Sequence, residues 1–173
     1  MNSQSKFNIF LIGMMGSGKS SIGRQLAKLL DLVFVDIDKE LEIITKLSIN
    51  EMFKKFGEEK FREMEGAFFR EKATQDHLVF ATGGGIILSK QNRTIMRESG
   101  TVIFLDVPLN ILTERLNGVS DRPLLKSSHD ISTDLTSIWK TREKFYRNTA
   151  HFTLDATPSP HKCANTILEI LGK

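Results

Sequence analysis

The chain has 173 residues, 40% hydrophobic and 26% charged, a balance that suits one soluble globular domain and excludes a disordered or fibrous chain. A formal net charge of +3 is spread along stretches such as Lys54-Lys-Phe-Gly-Glu-Glu-Lys60, without the aromatic interleaving of a single-strand binder, so nucleic acid is not an expected partner. No apolar run approaches the roughly 20 residues that span a bilayer, residues 1–6 hold no apolar signal-peptide core, and the lone Cys163 excludes an internal disulfide, so the expectation is a cytoplasmic protein without membrane contact.

In chain order, Phe7-Asn-Ile-Phe-Leu-Ile12 reads as a strand that stops at Gly13. Ile22, Leu26, Leu29 and Leu30 then recur at helical spacing between residues 20 and 30. Leu32-Val-Phe-Val35 gives a second strand, ending at Asp36-Ile-Asp38. Ser48 and Glu51 form a capping box that opens a helix through Phe56, Gly57 closes it, and residues 58–74 read as another helix. Leu78-Val-Phe-Ala81 is a third strand, followed by Thr82-Gly-Gly-Gly85. Thr101-Val-Ile-Phe-Leu105 is the fourth, with a helix from about Pro108, a residue suited to a first turn. His151-Phe-Thr-Leu154 is the fifth, and residues 162–171 form a closing helix in which Cys163 is a small buried apolar side chain. Short strands alternating with helices predict an α/β fold of three layers, a five-stranded parallel sheet flanked by helices. Residues 118–133 show no clear period, and the expectation there is a mobile lid that keeps water from a reactive phosphate.

Gly13-Met-Met-Gly-Ser-Gly-Lys-Ser20 satisfies G-x-x-x-x-G-K-[ST] and lies between a strand and a helix, the context that a phosphate-binding P-loop requires. Its glycines let backbone N–H groups turn inward around a phosphate, Lys19 reaches the β/γ oxygens, and the Ser20 hydroxyl suits Mg²⁺. The N-terminus of the following helix adds its positive end. The expected ATP-binding set is therefore Gly13, Met14, Met15, Gly16, Ser17, Gly18, Lys19, Ser20 and Ser21.

Ligands gather beyond the carboxyl ends of strands in an open parallel sheet, so Asp36, Asp38 and Gly83-Gly84-Gly85 are expected beside the P-loop. On an extended strand end, Asp36 and Asp38 would share one side, one for the metal shell and one to take the proton of an attacking hydroxyl. An Asx turn or N-cap is the other reading of Asp38. Arg62, three residues before Glu65, reads by itself as half of a solvated ion pair. Arg142 is undecided alone, while Arg115 and Arg122 flank and enter the lid segment, where a guanidinium could meet phosphate charge.

Six pieces in order change that balance. The P-loop, the Asp36-Ile-Asp38 pair, Phe61-Arg-Glu-Met-Glu65, Thr82-Gly-Gly-Gly85, Asp121-Arg-Pro-Leu-Leu125 and Arg142-Glu-Lys-Phe-Tyr146 make the chain resemble the shikimate kinases over nearly its whole length. The resemblance implies transfer of the ATP γ-phosphoryl group to the 3-hydroxyl of shikimate, a step towards chorismate and the aromatic amino acids. It implies a single P-loop kinase domain over residues 1–173, with an acceptor-binding helical region at about 39–74 and the lid at about 118–133. Asp38, Lys19 and Arg122 would be catalytic, Asp38 as base and ligand of the acceptor hydroxyls. Arg62, Arg142 and Gly83, Gly84 and Gly85 would bind shikimate, two planar guanidiniums suiting its carboxylate. Arg122 would close on the ATP phosphates, Arg115 would lie near adenine, and Mg²⁺ would be held by Ser20 and, through water, Asp36. The implied partners are ATP and shikimate alone, and the implied state is a monomer. The segment Asp155-Ala-Thr-Pro-Ser-Pro160 lacks the basic residue that the family often carries there, which leaves adenine to Arg115 and the backbone.

Three other readings compete. A P-loop kinase for gluconate or a nucleoside monophosphate fits the loop but not the triple glycine with Arg62 and Arg142, and a monophosphate kinase would carry more lid arginines. A GTPase switch would carry Asn-Lys-x-Asp after a later strand, and the chain has none. A member that has lost catalysis would be expected to lack one of Lys19, Ser20, Asp36, Asp38 or Arg122, and all five are present.

Overall fold

The apolar runs form five strands: β1 (Asn8–Ile12), β2 (Val33–Asp36), β3 (Leu78–Ala81), β4 (Gly100–Asp106) and β5 (Phe152–Asp155). They pair in parallel throughout, in the order β2-β3-β1-β4-β5. The computed structural model describes residues 7–117, 123–125 and 130–173. Parallel neighbours need crossovers, and α1 (Lys19–Leu30), α2 (Ile37–Thr45), α3 (Ile49–Lys72), α4 (Lys90–Ser99), α5 (Leu109–Leu116) and α6 (Ile131–Thr149) supply them, while α7 (Pro160–Ile170) follows β5. The five-stranded parallel sheet flanked by helices is the α/β fold expected from the alternation. With β2 and β3 on one side of β1 and β4 and β5 on the other, the crevice opens at the carboxyl ends of the central strands.

β1 is buried along its whole length, as a central parallel strand covered on both faces must be. Phe10 of β1 stacks on Phe80 of β3 with centroids 4.9 Å apart, and Phe69 of α3 meets both rings edge-on at 5.8 and 6.0 Å. This trio fastens α3 to the sheet. On β4, Phe104 stacks on Tyr146 of α6 at 5.2 Å with the rings 1° from parallel, and on Trp139 at 6.2 Å. That stack fixes α6.

Several local expectations are corrected. Asp36 belongs to β2 and is the N-cap of α2, its carboxylate accepting from Lys39 N–H, so Asp38 sits in the first turn of a helix and not on an extended strand end. The capping box at Ser48 and Glu51 is present, and the two helices expected on either side of Gly57 are there, joined within α3 by a non-helical residue at Gly57 (φ 77°, ψ 166°). Pro108 is the N-cap of α5, just outside its first turn. Residues 131–133, expected in the lid, open α6. α4 was not anticipated at all. The remainder of the lid reading, including Arg122 and residues 118–122 and 126–129, lies outside the described residues.

Candidate active site

The 13–20 loop joins β1 to α1 through left-handed backbone at Gly16 (φ 80°) and Gly18 (φ 92°), conformations that favour glycine. Gly18 is the N-cap of α1 and offers no side chain to its first turn, so those amide groups are left for an anion. Lys19 Nζ donates to the carbonyls of Gly13 at 3.0 Å and Met14 at 2.8 Å, which holds the amine over its own loop. Met14 and Ser17 point inward and are buried, whereas Met15, Gly16, Gly18, Ser20 and Ser21 line the cleft above. That cleft, about 490 Å³ and bordered by Lys19, Asp36, Asp38, Lys39 and Arg115, has the size of a small-molecule site.

Ser20 Oγ donates to Asp36 Oδ2 at 2.6 Å, while Asp36 Oδ1 caps α2. A hydroxyl and a carboxylate side by side at the mouth of a phosphate loop fit a hard cation such as Mg²⁺, which takes one or two protein oxygens and completes its shell with phosphate and water. Among the described residues there is no cluster of three His, Cys, Asp or Glu that could cage a metal.

Beside this cleft lies a second pocket, lined by Asp38, Phe53, Phe61, Arg62, Glu65, Gly83, Gly84, Gly85 and Arg142. The period of α3 buries Phe61, Glu65 and Phe69 together. Arg62 donates to Glu65 at 2.8 Å and to Glu58 at 3.3 Å, with its guanidinium over the Phe61 and Phe53 rings at 5.2 and 5.7 Å. The expected ion pair with Glu65 therefore exists, but it is not the solvated one: Glu65 is only 1% exposed. Burial pushes the Glu65 carboxyl above its usual range, against the pull of Arg62 and Arg142. Burial also acts to lower Arg62, but Glu65 and Glu58 outweigh it and hold the guanidinium above its usual value. Neither Glu65 Oε1 nor Arg62 Nε has a hydrogen-bond partner among the described residues.

The triple glycine is explained by what surrounds it. A Cβ at Gly83 would overlap Glu65 Oε1, and one at Gly85 would overlap the Arg62 guanidinium. Arg142 comes from α6, is 4% exposed, and has Nη1 3.4 Å from where a Gly84 Cβ would stand. The residues expected to meet an acceptor thus arrive from α2, α3, the turn after β3, and α6. Of the described ionisable side chains that line the cleft or the pocket, only Asp38 lines both. Pro123, from the segment expected as lid, also borders both.

At the far end Arg115 of α5 donates to Gly16 O at 3.2 Å, Ala156 O at 3.2 Å and Thr157 O at 3.1 Å. It ties the P-loop to the turn after β5. Glu65 was legible only as a partner of Arg62, and the aromatic floor of Phe53 and Phe61 was not legible as part of the site. The signal was the spacing Phe61, Arg62, Glu65 on one helix, whose burial the sequence alone does not disclose.

A P-loop at the end of the central strand, facing a second pocket across a shared carboxylate, defines a P-loop kinase that acts on a small molecule. The family model "Shikimate kinase" matches residues 15–172. A shikimate kinase of Persephonella marina is 38% identical over 166 residues, 96% of this chain and 98% of that one. One of Nitrosomonas europaea is 40% identical over 149 residues, 86% of this chain and 70% of that one. The solved shikimate kinase of Acinetobacter baumannii in complex with shikimate superposes with a TM-score of 0.92 at 35% identity, covering 97% of this chain and 94% of that one. The chain belongs to the shikimate kinase family.

Proposed function

We propose that the chain transfers the γ-phosphoryl group of ATP to the 3-hydroxyl of shikimate, with the cleft taking the nucleotide and the second pocket the acceptor. The observation that carries this reading is Asp38, the one described ionisable side chain common to the two cavities. A carboxylate there can bind the acceptor hydroxyl and receive its proton as the oxygen attacks the γ-phosphorus. The bond from that phosphorus to the β–γ bridging oxygen breaks, and ADP leaves.

Arg62 and Arg142 present two guanidiniums to one carboxylate, a match for an acceptor that is an acid as well as an alcohol. The buried Glu65 keeps Arg62 aimed across the aromatic floor. Lys19 and the α1 amide groups receive the β- and γ-phosphates, and Arg115 with the backbone of 156–157 borders the nucleobase. Arg122 is assigned to the transferring phosphate on the family resemblance. When bound, Mg²⁺ neutralises phosphate charge, with Ser20 as ligand and Asp36 acting through water. The same reading makes the protein a monomer of the cytoplasm. Among the described residues no helix is long and apolar enough to cross a membrane.

Phosphorus NMR of the product made from shikimate and Mg-ATP tests the regiochemistry. A phosphomonoester coupled to the proton on carbon 3 is the expected result, and an ester at another oxygen overturns the geometry assigned to Asp38.

A further inference from the structure

Tyr146 is fully buried, and its hydroxyl reaches the core side of the glycine turn that lines the acceptor pocket. It donates to Gly84 O at 2.5 Å, from a ring that packs on Phe104 at 5.2 Å and Trp139 at 6.3 Å, two rings that also meet each other at 6.2 Å. Burial pushes the phenol up to about 12 against the pull of Arg142, whose guanidinium also hydrogen-bonds the hydroxyl, so the oxygen accepts from Arg142 and keeps its proton as a donor to Gly84 O. Ile86 N–H closes the same turn on Gly83 O at 3.2 Å. Gly84 O is thereby held toward the aromatic core. All peptide bonds here are trans, and in a trans peptide the next N–H points opposite to the carbonyl. The Gly85 N–H consequently faces away from the Tyr146 hydroxyl, on the side where Gly84 and Gly85 line the acceptor pocket beside Arg62.

We infer that Tyr146 is a positioning residue for acceptor binding: its hydroxyl, held in the core, orients the Gly84–Gly85 peptide so that the Gly85 N–H is presented to an oxygen of the bound acceptor. The inference rests on the acceptor-site reading above. It accounts for a hydroxyl at a place where the ring alone would fill the core, because phenylalanine would complete the stack on Phe104 and Trp139 equally well. It also gives α6 two tasks at one turn of helix: Arg142 contributes charge to the pocket, and Tyr146, four residues on, sets the direction of a backbone donor.

The test compares Tyr146→Phe, Trp139→Phe and Arg62→Ala with the wild type in steady-state kinetics and thermal unfolding. Loss of the hydroxyl is expected to raise the KM for shikimate about three- to tenfold, the worth of one net hydrogen bond, with the KM for ATP within about twofold of wild type. Trp139→Phe weakens the same stack but keeps the hydroxyl, so it is expected to lower Tm and leave the shikimate KM unchanged. A Tyr146→Phe enzyme that loses Tm while keeping the wild-type shikimate KM overturns the inference. If Arg62→Ala raises the shikimate KM and Tyr146→Phe does not, the inference fails while the acceptor site stands; if neither raises it, both fall. Should Tyr146→Phe fail to fold, the wild type decides: the Gly85 amide resonance is expected to shift on titration with shikimate alone, and no shift refutes the role.

Discussion

Asp38 takes its place from its neighbour two residues back. Asp36 caps α2 with one oxygen and accepts from the Ser20 hydroxyl with the other, and the helix it starts carries Asp38 to where it lines both the cleft and the second pocket. The sequence reading had both aspartates on an extended strand and left an N-cap open for Asp38; a cap does form, but at Asp36. The pair was legible as two carboxylates beside the P-loop, and the backbone that delivers them was not. If Asp38 takes the acceptor proton, Asp38→Asn is expected to bind ATP normally and to lose about 10²- to 10⁴-fold in turnover, the range of general-base catalysis; single-turnover kinetics beside nucleotide binding would check this. The pairing of Arg62 with Glu65 was likewise visible from a three-residue spacing, but its burial depends on how α3 meets the sheet. Glu65 gives a pH signature. Its folded-state carboxyl titrates above the ordinary 4.5 because of burial, so its contribution to stability is full below 4.5 and is lost as pH rises through the folded value. Affinity runs the other way, because the protonated acid no longer holds Arg62 by charge. The shikimate KM is expected to climb as pH falls through that window, and Glu65→Gln is expected to flatten this limb.

Among the elements, those with an apolar period or a cap were readable in advance. β3 spans 78–81, the range its apolar run marks, and the capping box at Ser48 opens α3. α4 escaped because its three buried positions are Asn92, Met96 and Ser99, two of them polar, so that Met96 and the half-buried Ile95 are all that mark its inner face. Its one signal is Ser89, whose hydroxyl accepts from Asn92 N–H at 3.3 Å. α6 carries the Arg142 and Tyr146 motif, but the lid reading ran over its first turn. β5 shows how a side chain can lengthen a ladder. His151 N–H donates to Val102 O at 2.8 Å, and its Nδ1 accepts from Val102 N–H at 3.0 Å, which extends the β4–β5 pairing by one residue. That role needs a neutral ring, and burial, with Arg97 nearby, keeps the imidazole pKa below 6.5. For a depressed pKa the stabilisation is present above 6.5 and lost as pH falls through the folded value. Tm is expected to fall across that interval in the wild type and to change less in His151→Ala, measured by thermal unfolding from neutral to mildly acid pH.

For the whole molecule, the sheet order does the assembling. β1 and β3 are neighbours, so the loop after one and the glycine turn after the other meet; α3 approaches across the trio of Phe10, Phe69 and Phe80, and α6 across Phe104. None of those approaches is written in a local pattern, which is why the motifs could be named from the sequence while the floor that Phe53 and Phe61 form and the contact of Tyr146 with Gly84 could not. The proposed adenine end offers few free groups: the turn after β5 has no arginine, and Arg115 donates to the Gly16, Ala156 and Thr157 carbonyls. The proposed function accordingly puts selectivity at the second pocket, where Asp38, Arg62, Arg142 and the glycine turn converge. The most direct measurement is ADP release with Mg-ATP across a panel of shikimate, gluconate and the nucleoside monophosphates. The account predicts release that depends on shikimate and stays near background with the others; release driven equally by gluconate or a monophosphate, or none with shikimate, would contradict it.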